Sequence, residues 1–183
     1  MAVKSRKAGK SHILKGKSVL LRFLVFLVLA VGLNLLFRIP HASVGFAWFL
    51  IDLTVSVSAW LINLVGIKAE VARDVIVLSN QPLLINAECT AIYLMIFFAS
   101  FILVYPAKLL RKVVGLVVGI PAIFVANTSR LLLTACVVEF RPRYFQYFHD
   151  YIWQVAFVIF VVALWWLWIE MVVEYEKKTA FPE

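Results

Sequence analysis

Cys89, Arg130 and His149 are three side chains of unlike chemistry, each near an end of an apolar run. A thiolate attacks a carbonyl carbon, an imidazole acts as base and then protonates the leaving amine, and a guanidinium holds the developing oxyanion. Together they describe acyl transfer. Cys89 follows a polar outer segment and opens a helix, where first-turn amides and the helix dipole favour a thiolate. The competing reading of Cys89 is a small buried hydrophobe, and that reading is kept for Cys136. The spacing of the two cysteines fits no metal site, so both are read as free thiols.

Arg130 interrupts the apolar run from Val113 to Val138. A charge at that depth is costly unless it has a partner or lines a cavity, so function is its default reading and a snorkelling anchor the alternative. His149 stands in Tyr144-Phe145-Gln146-Tyr147-Phe148-His149-Asp150. An isolated histidine near a membrane end, such as His12 or His41, is more often structural. His149 gains weight from the company of Cys89 and Arg130. Nineteen residues separate Cys89 from Lys108 and eighteen separate Lys112 from Arg130. Both intervals give about 27–29 Å of helix above the same basic loop, so the two groups share a depth.

The elements that hold these residues must be membrane helices. Of 183 residues, 64% are hydrophobic and 15% charged, and the mean hydropathy is +0.97, well beyond a water-soluble domain. Five stretches approach or reach the ~20 apolar residues that cross a bilayer core: Val19–Phe37, Val44–Val65, Thr90–Tyr105, Val113–Val138 and Ile152–Val173. The expected fold is all-α, a polytopic transmembrane helical bundle with a short extracytoplasmic hairpin. The hairpin is read from Asp74–Leu78 and Leu83–Asn86 around the turn Ser79-Asn80-Gln81-Pro82. One domain is expected over 19–175, between a basic cytoplasmic tail at 1–18 and a short cytoplasmic tail at 176–183.

The net charge of +8 is concentrated at helix ends, so it points to the lipid bilayer as partner and not to nucleic acid. Lys4, Arg6, Lys7, Lys10, Lys15 and Lys17, then Lys108–Lys112, then Lys177-Lys178 mark three cytoplasmic positions. Cys89 and the Glu139–Asp150 loop then lie on the outer side, although Arg141 and Arg143 run against the rule. Parity adds a condition: with the N-terminus inside and Cys89 outside, one of the first two apolar runs does not cross fully. Val44–Val65 is the weaker, because Asp52, Ser56 and Asn63 share one narrow sector. That segment spans, re-enters or lies on the membrane surface.

Other classes stay open on the residues alone. A non-catalytic membrane subunit or assembly factor would pair Arg130 with Asp52 or Glu139 and leave Cys89 inert. A small anion or lipid-headgroup transporter would use Arg130 as its binding charge, but no inverted repeat or broken-helix pair is visible. Asp52, Asn63, Asn86 and Glu88 are further polar candidates for the site. Asn127-Thr128-Ser129 matches a glycosylation sequon but lies inside an apolar helix. No nucleotide loop or metal spacing is found, and no cofactor is expected.

Glu88-Cys89-Thr90-Ala91 opening a span, Asn127-Thr128-Ser129-Arg130 late in the next, and His149 before the last resemble the exosortase/archaeosortase family over roughly residues 44–170. The chain looks most like the small exosortase H branch, although many family members carry Cys-Ser-Gly where this one has Cys-Thr-Ala. The resemblance implies catalytic roles for Cys89, Arg130 and His149, with Asn127 in the Asn-x-x-Arg pattern as a supporting or substrate-binding residue. It implies a cysteine transpeptidase in the bacterial inner membrane with a periplasmic active site. Its substrates would be envelope proteins ending in a short motif, a hydrophobic helix and a basic tail. An acceptor nucleophile would resolve the thioester.

Overall fold

The computed structural model describes residues 19–36, 44–147 and 151–174. The order is α1 (Val19–Leu36), α2 (Val44–Leu64), β1 (Glu70–Ala72), β2 (Val75–Val77), β3 (Leu83–Leu84), a 3-10 turn (Ala87–Thr90) and α3 (Ile92–Val104). It continues with α4 (Leu109–Phe140), a second 3-10 turn (Pro142–Tyr144), the single turn α5 (Phe145–Tyr147), α6 (Trp153–Trp168) and a wider π-type end at Ile169–Glu174. The polytopic helical fold read from the sequence is the fold observed. Helices α1, α2, α4 and α6 are each long and apolar enough to cross a membrane. At 13 residues, α3 is about 20 Å long and shorter than a bilayer core.

α4 organises the rest. Its 32 residues make a rod of about 48 Å, so a bilayer core of about 30 Å leaves roughly a third of it projecting. The sequence reading began this helix at Val113 and ended it at Val138; it runs four residues further at the basic end and two at the other. Pro121 lies inside it on an exposed face, where its ring removes one link of the backbone hydrogen-bond ladder.

Two separate cores follow from that length. The basal core, on the side of Lys108–Lys112, joins Met95, Phe98 and Ile102 of α3, Ile123 of α4, and Val161 and Trp168 of α6. Trp165 stacks on Phe101 with centroids 4.4 Å apart and lies parallel to Phe98 at 6.3 Å. Phe26 of α1 meets Phe97 and Phe101 edge-on. Two small residues make the fit possible, since a Cβ on Gly115 would sit 2.5 Å from the Trp168 indole nitrogen and one on Gly119 would collide with the Phe98 ring. The Trp168 Nε1–H is satisfied by the Arg111 carbonyl at 3.0 Å.

The distal core joins Val55, Ala59 and Ile62 of α2 to Leu131, Ala135 and Val138 of α4, capped by Ile76, Leu83 and Ile85 of the sheet region. Thus α2 packs against the far half of α4, beyond the position of Arg130. Its end is well defined: Gly66 takes φ 86°, Ile67 N–H bonds the Ile62 carbonyl and Gly66 N–H the Asn63 carbonyl, the paired bonds of a Schellman cap. The Asn63 side chain then grips Ala69, donating to its carbonyl at 2.9 Å and accepting from its N–H at 3.1 Å.

The hairpin around Ser79–Pro82 is present, with Val75 opposite Leu84 and Ile76 opposite Leu83. A third strand, β1, was not legible in the sequence; it pairs antiparallel with β2 through a turn at Arg73-Asp74. Arg73 takes φ 57° there. Asn80 Nδ2–H donates to the Glu139 carbonyl at 2.9 Å, tying the hairpin loop to the end of α4.

Candidate active site

Cys89 sits where the two cores meet. It is the third residue of the 3-10 turn that links β3 to α3, and its side chain packs, half-buried, against the distal core. The turn forms because Asn86 caps it: both the Asn86 side-chain oxygen, at 3.1 Å, and its carbonyl, at 3.0 Å, accept from the Cys89 N–H. Thr90 adds a hydroxyl bond to the Ala87 carbonyl at 2.7 Å. Ala91 ends the turn in left-handed backbone, φ 58° and ψ 16°, and α3 begins after it. The expectation that Cys89 opens a long helix is therefore refined, because the axis of α3 starts beyond a change of direction at Ala91.

The Cys89 S–H points back to the Leu84 carbonyl, 3.9 Å from Sγ. On the other side, Asn127 of α4 donates from Nδ2 to the Cys89 carbonyl at 2.6 Å. Asn127 is fully buried at 0% exposure, and its Oδ1 has no hydrogen-bond partner. Arg130, three residues further along α4, is half-buried with its guanidinium 5.8 Å from the centroid of the Phe157 ring. Its Nε is buried and unpartnered. Burying a guanidinium nitrogen in that condition costs free energy that a structural anchor reaching water would not incur.

Cys89 and Arg130 share the wall of an open cavity of about 530 Å³ with Asn86, Glu88 and Leu94, and with Trp153, Gln154, Phe157 and Val158 of α6. Two of the secondary candidates, Asn86 and Glu88, thus belong to the site. Asp52 lines a different cavity of about 380 Å³, with Trp48, Ile51, Arg73 and Asp74, and Asn63 serves the α2 cap. Glu139, the other suggested partner of Arg130, has its Oε2 buried without a hydrogen-bond partner among the described residues. Cys136 packs against the distal core as the apolar reading has it. His149 lies outside the described residues. Trp153 and Gln154 were not singled out in the sequence; their one signal there is their place at the start of the last span. Among the described residues no group of three or more His, Cys, Asp or Glu side chains is arranged to hold a metal ion.

The sequence profile of the transmembrane exosortases matches residues 8–167. The chain belongs to the transmembrane exosortase family. No curated protein and no solved structure matches it. In this exosortase, Ala91 stands where many family members carry the glycine of Cys-Ser-Gly, and its left-handed backbone is a conformation that glycine takes without a steric penalty. The match also fixes the coarse character of the molecule as a multi-pass membrane protein of a transpeptidase-like family.

Proposed function

We propose that this exosortase is a cysteine transpeptidase that removes C-terminal sorting signals from envelope proteins at the periplasmic face of a bacterial inner membrane. The observation that carries the reading is the pairing of Cys89 and Arg130 on one cavity wall. A guanidinium that lines the same cavity as a thiol suits an oxygen that acquires charge only during reaction.

The chemistry is a two-step acyl transfer. His149 takes the Cys89 proton, the thiolate adds to the peptide carbonyl, and Arg130 stabilises the oxyanion. The C–N bond then breaks, His149 returns the proton to the departing amine, and a thioester remains on Cys89. An acceptor nucleophile attacks that thioester, yields its proton to His149, and frees the thiolate.

The topology follows from the same reading. With Lys108–Lys112 on the cytoplasmic side, α1, α4 and α6 traverse the membrane, the shorter α3 together with the segments that flank it brings the chain back from the outer side, and α2 belongs to the outer layer with the sheet. That arrangement satisfies parity and returns Lys177-Lys178 to the cytoplasmic side. Packing of α2 against Leu131, Ala135 and Val138, toward the end of α4 away from Lys108–Lys112, supports it. A substrate entering laterally would have its motif at the outer cavity and its hydrophobic helix in lipid.

The test is C-terminal proteomics of the host envelope, comparing wild type with a Cys89→Ala strain at equal enzyme level. A set of proteins that keeps a hydrophobic C-terminal helix only in the mutant is the expected result. Unchanged C-termini would leave Cys89 structural and favour a non-catalytic membrane subunit.

A further inference from the structure

The backbone of Cys89 is held from both sides by asparagine side chains of different elements. Asn86 accepts from its N–H twice over, through Oδ1 at 3.1 Å and through its carbonyl at 3.0 Å. Asn127 donates to its carbonyl at 2.6 Å. The two Asn86 contacts use the hydrogen-bonding capacity of the Cys89 N–H, which has a single proton. In many acyl-transfer sites the nucleophile's own N–H helps bind the oxyanion. Here that N–H is already engaged in the turn.

Asn127 adds a second clue. A fully buried amide with an unpartnered Oδ1 is a poor choice for stability, because an apolar side chain of similar size would avoid leaving a buried acceptor unsatisfied, at about 1–3 kcal/mol. What the amide does supply is the Nδ2–H bond to Cys89, from the same helix that carries Arg130. A rigid helix face thus sets both the nucleophile's peptide and the guanidinium.

We infer that Asn127 and Asn86 are positioning residues that clamp the Cys89 peptide, that the Cys89 amide is thereby withdrawn from oxyanion binding, and that Arg130 is left to supply the oxyanion's donors. The inference rests on the transpeptidase reading for its oxyanion part, but the clamp itself is testable without a substrate. Asn127→Leu removes the Nδ2–H bond and the unsatisfied oxygen together, so it separates folding from positioning.

The experiment follows maleimide alkylation of Cys89 against pH in detergent, with Cys136 as the reference thiol in the same molecule, alongside thermal melting. In Asn127→Leu the melting temperature is held or raised, the pH profile of Cys89 shifts, and that of Cys136 does not. Asn86→Ala, on the exposed side of the turn, shifts the Cys89 profile as well and serves as the second variant if Asn127→Leu does not fold. A folded variant whose Cys89 profile superimposes on wild type overturns the clamp. With a peptide substrate, misplacing the nucleophile lowers kcat by roughly 100-fold with KM little changed, and a loss seen only as a rise in KM with kcat unchanged overturns the positioning role. If Cys89→Ala leaves envelope C-termini unchanged while the alkylation profiles still shift, the clamp stands and the transpeptidase reading fails.

Discussion

Asn127 and Arg130 stand three residues apart on α4, the first bonded to the Cys89 carbonyl at 2.6 Å and the second sharing a cavity wall with Cys89. A helix brings such positions onto one face. Any movement of α4 therefore carries the amide and the guanidinium together, and the spacing between the group that holds the Cys89 carbonyl and the guanidinium is fixed by one helix.

Arg130→Lys tests the donor. An ammonium keeps the charge but lacks the planar fork and cannot stack as a guanidinium does over Phe157. Loss of one such donor lowers kcat on the order of 10²–10³-fold, read by cleavage of a sorting-signal peptide in proteoliposomes. Turnover near wild type would remove Arg130 from the oxyanion site.

Substitutions at Ala91 test the left-handed turn. An L residue at φ 58° is disfavoured by about 1–2 kcal/mol. Glycine relieves that, but it loses more chain entropy on folding, about 0.5–1 kcal/mol, and removes a buried methyl worth about 0.8 kcal/mol. These terms nearly cancel, so Ala91→Gly is expected to melt close to wild type. Ala91→Val places a β-branched side chain in the same backbone and destabilises by about 2 kcal/mol. Equal melting of the two variants in detergent would show that the turn relaxes without cost.

Gly115 and Gly119 test the basal packing. Gly115→Ala pushes on the Trp168 indole and its bond to the Arg111 carbonyl, and Gly119→Ala on the Phe98 ring. Overpacking of this kind costs about 1–3 kcal/mol. Thermal melting should fall in both, whereas Gly45→Ala, with open space around its Cβ, should not change it. A Gly119→Ala variant as stable as wild type would mean that Phe98 swings aside freely.

His149→Ala tests the base. Neutral imidazole is the form that accepts the thiol proton, so acylation by the wild type rises with pH as that group deprotonates. The variant is expected to acylate far more slowly and to lose that limb of the profile. Normal acylation with the limb intact would assign the titration to another group.

The sequence by itself determined the solvent of this protein and the residue types of its site. Long apolar runs with lysine and arginine at their ends admit few solutions other than membrane helices, because backbone groups in lipid must be satisfied within each segment. An arginine inside such a run marks itself by its cost, and a proline-containing turn between two β-rich runs marks the hairpin at Ser79–Pro82. Those signals are local, and each was read without knowing its neighbours.

Only the tertiary structure decided which candidates meet. Asn127 bonds a residue 38 positions earlier in the chain, and no periodicity in either segment predicts that contact. The place of α2 was open because length and hydropathy suit both lipid and a protein core; the structure adds that it packs on the far half of α4. Strand β1 was missed because three residues of Glu-Val-Ala carry little propensity of their own and pair only when β2 is already held against the distal core. The left-handed backbone of Ala91 was not legible from the residue itself, since it is imposed by the turn that presents Cys89 and by the helix that must start immediately after it.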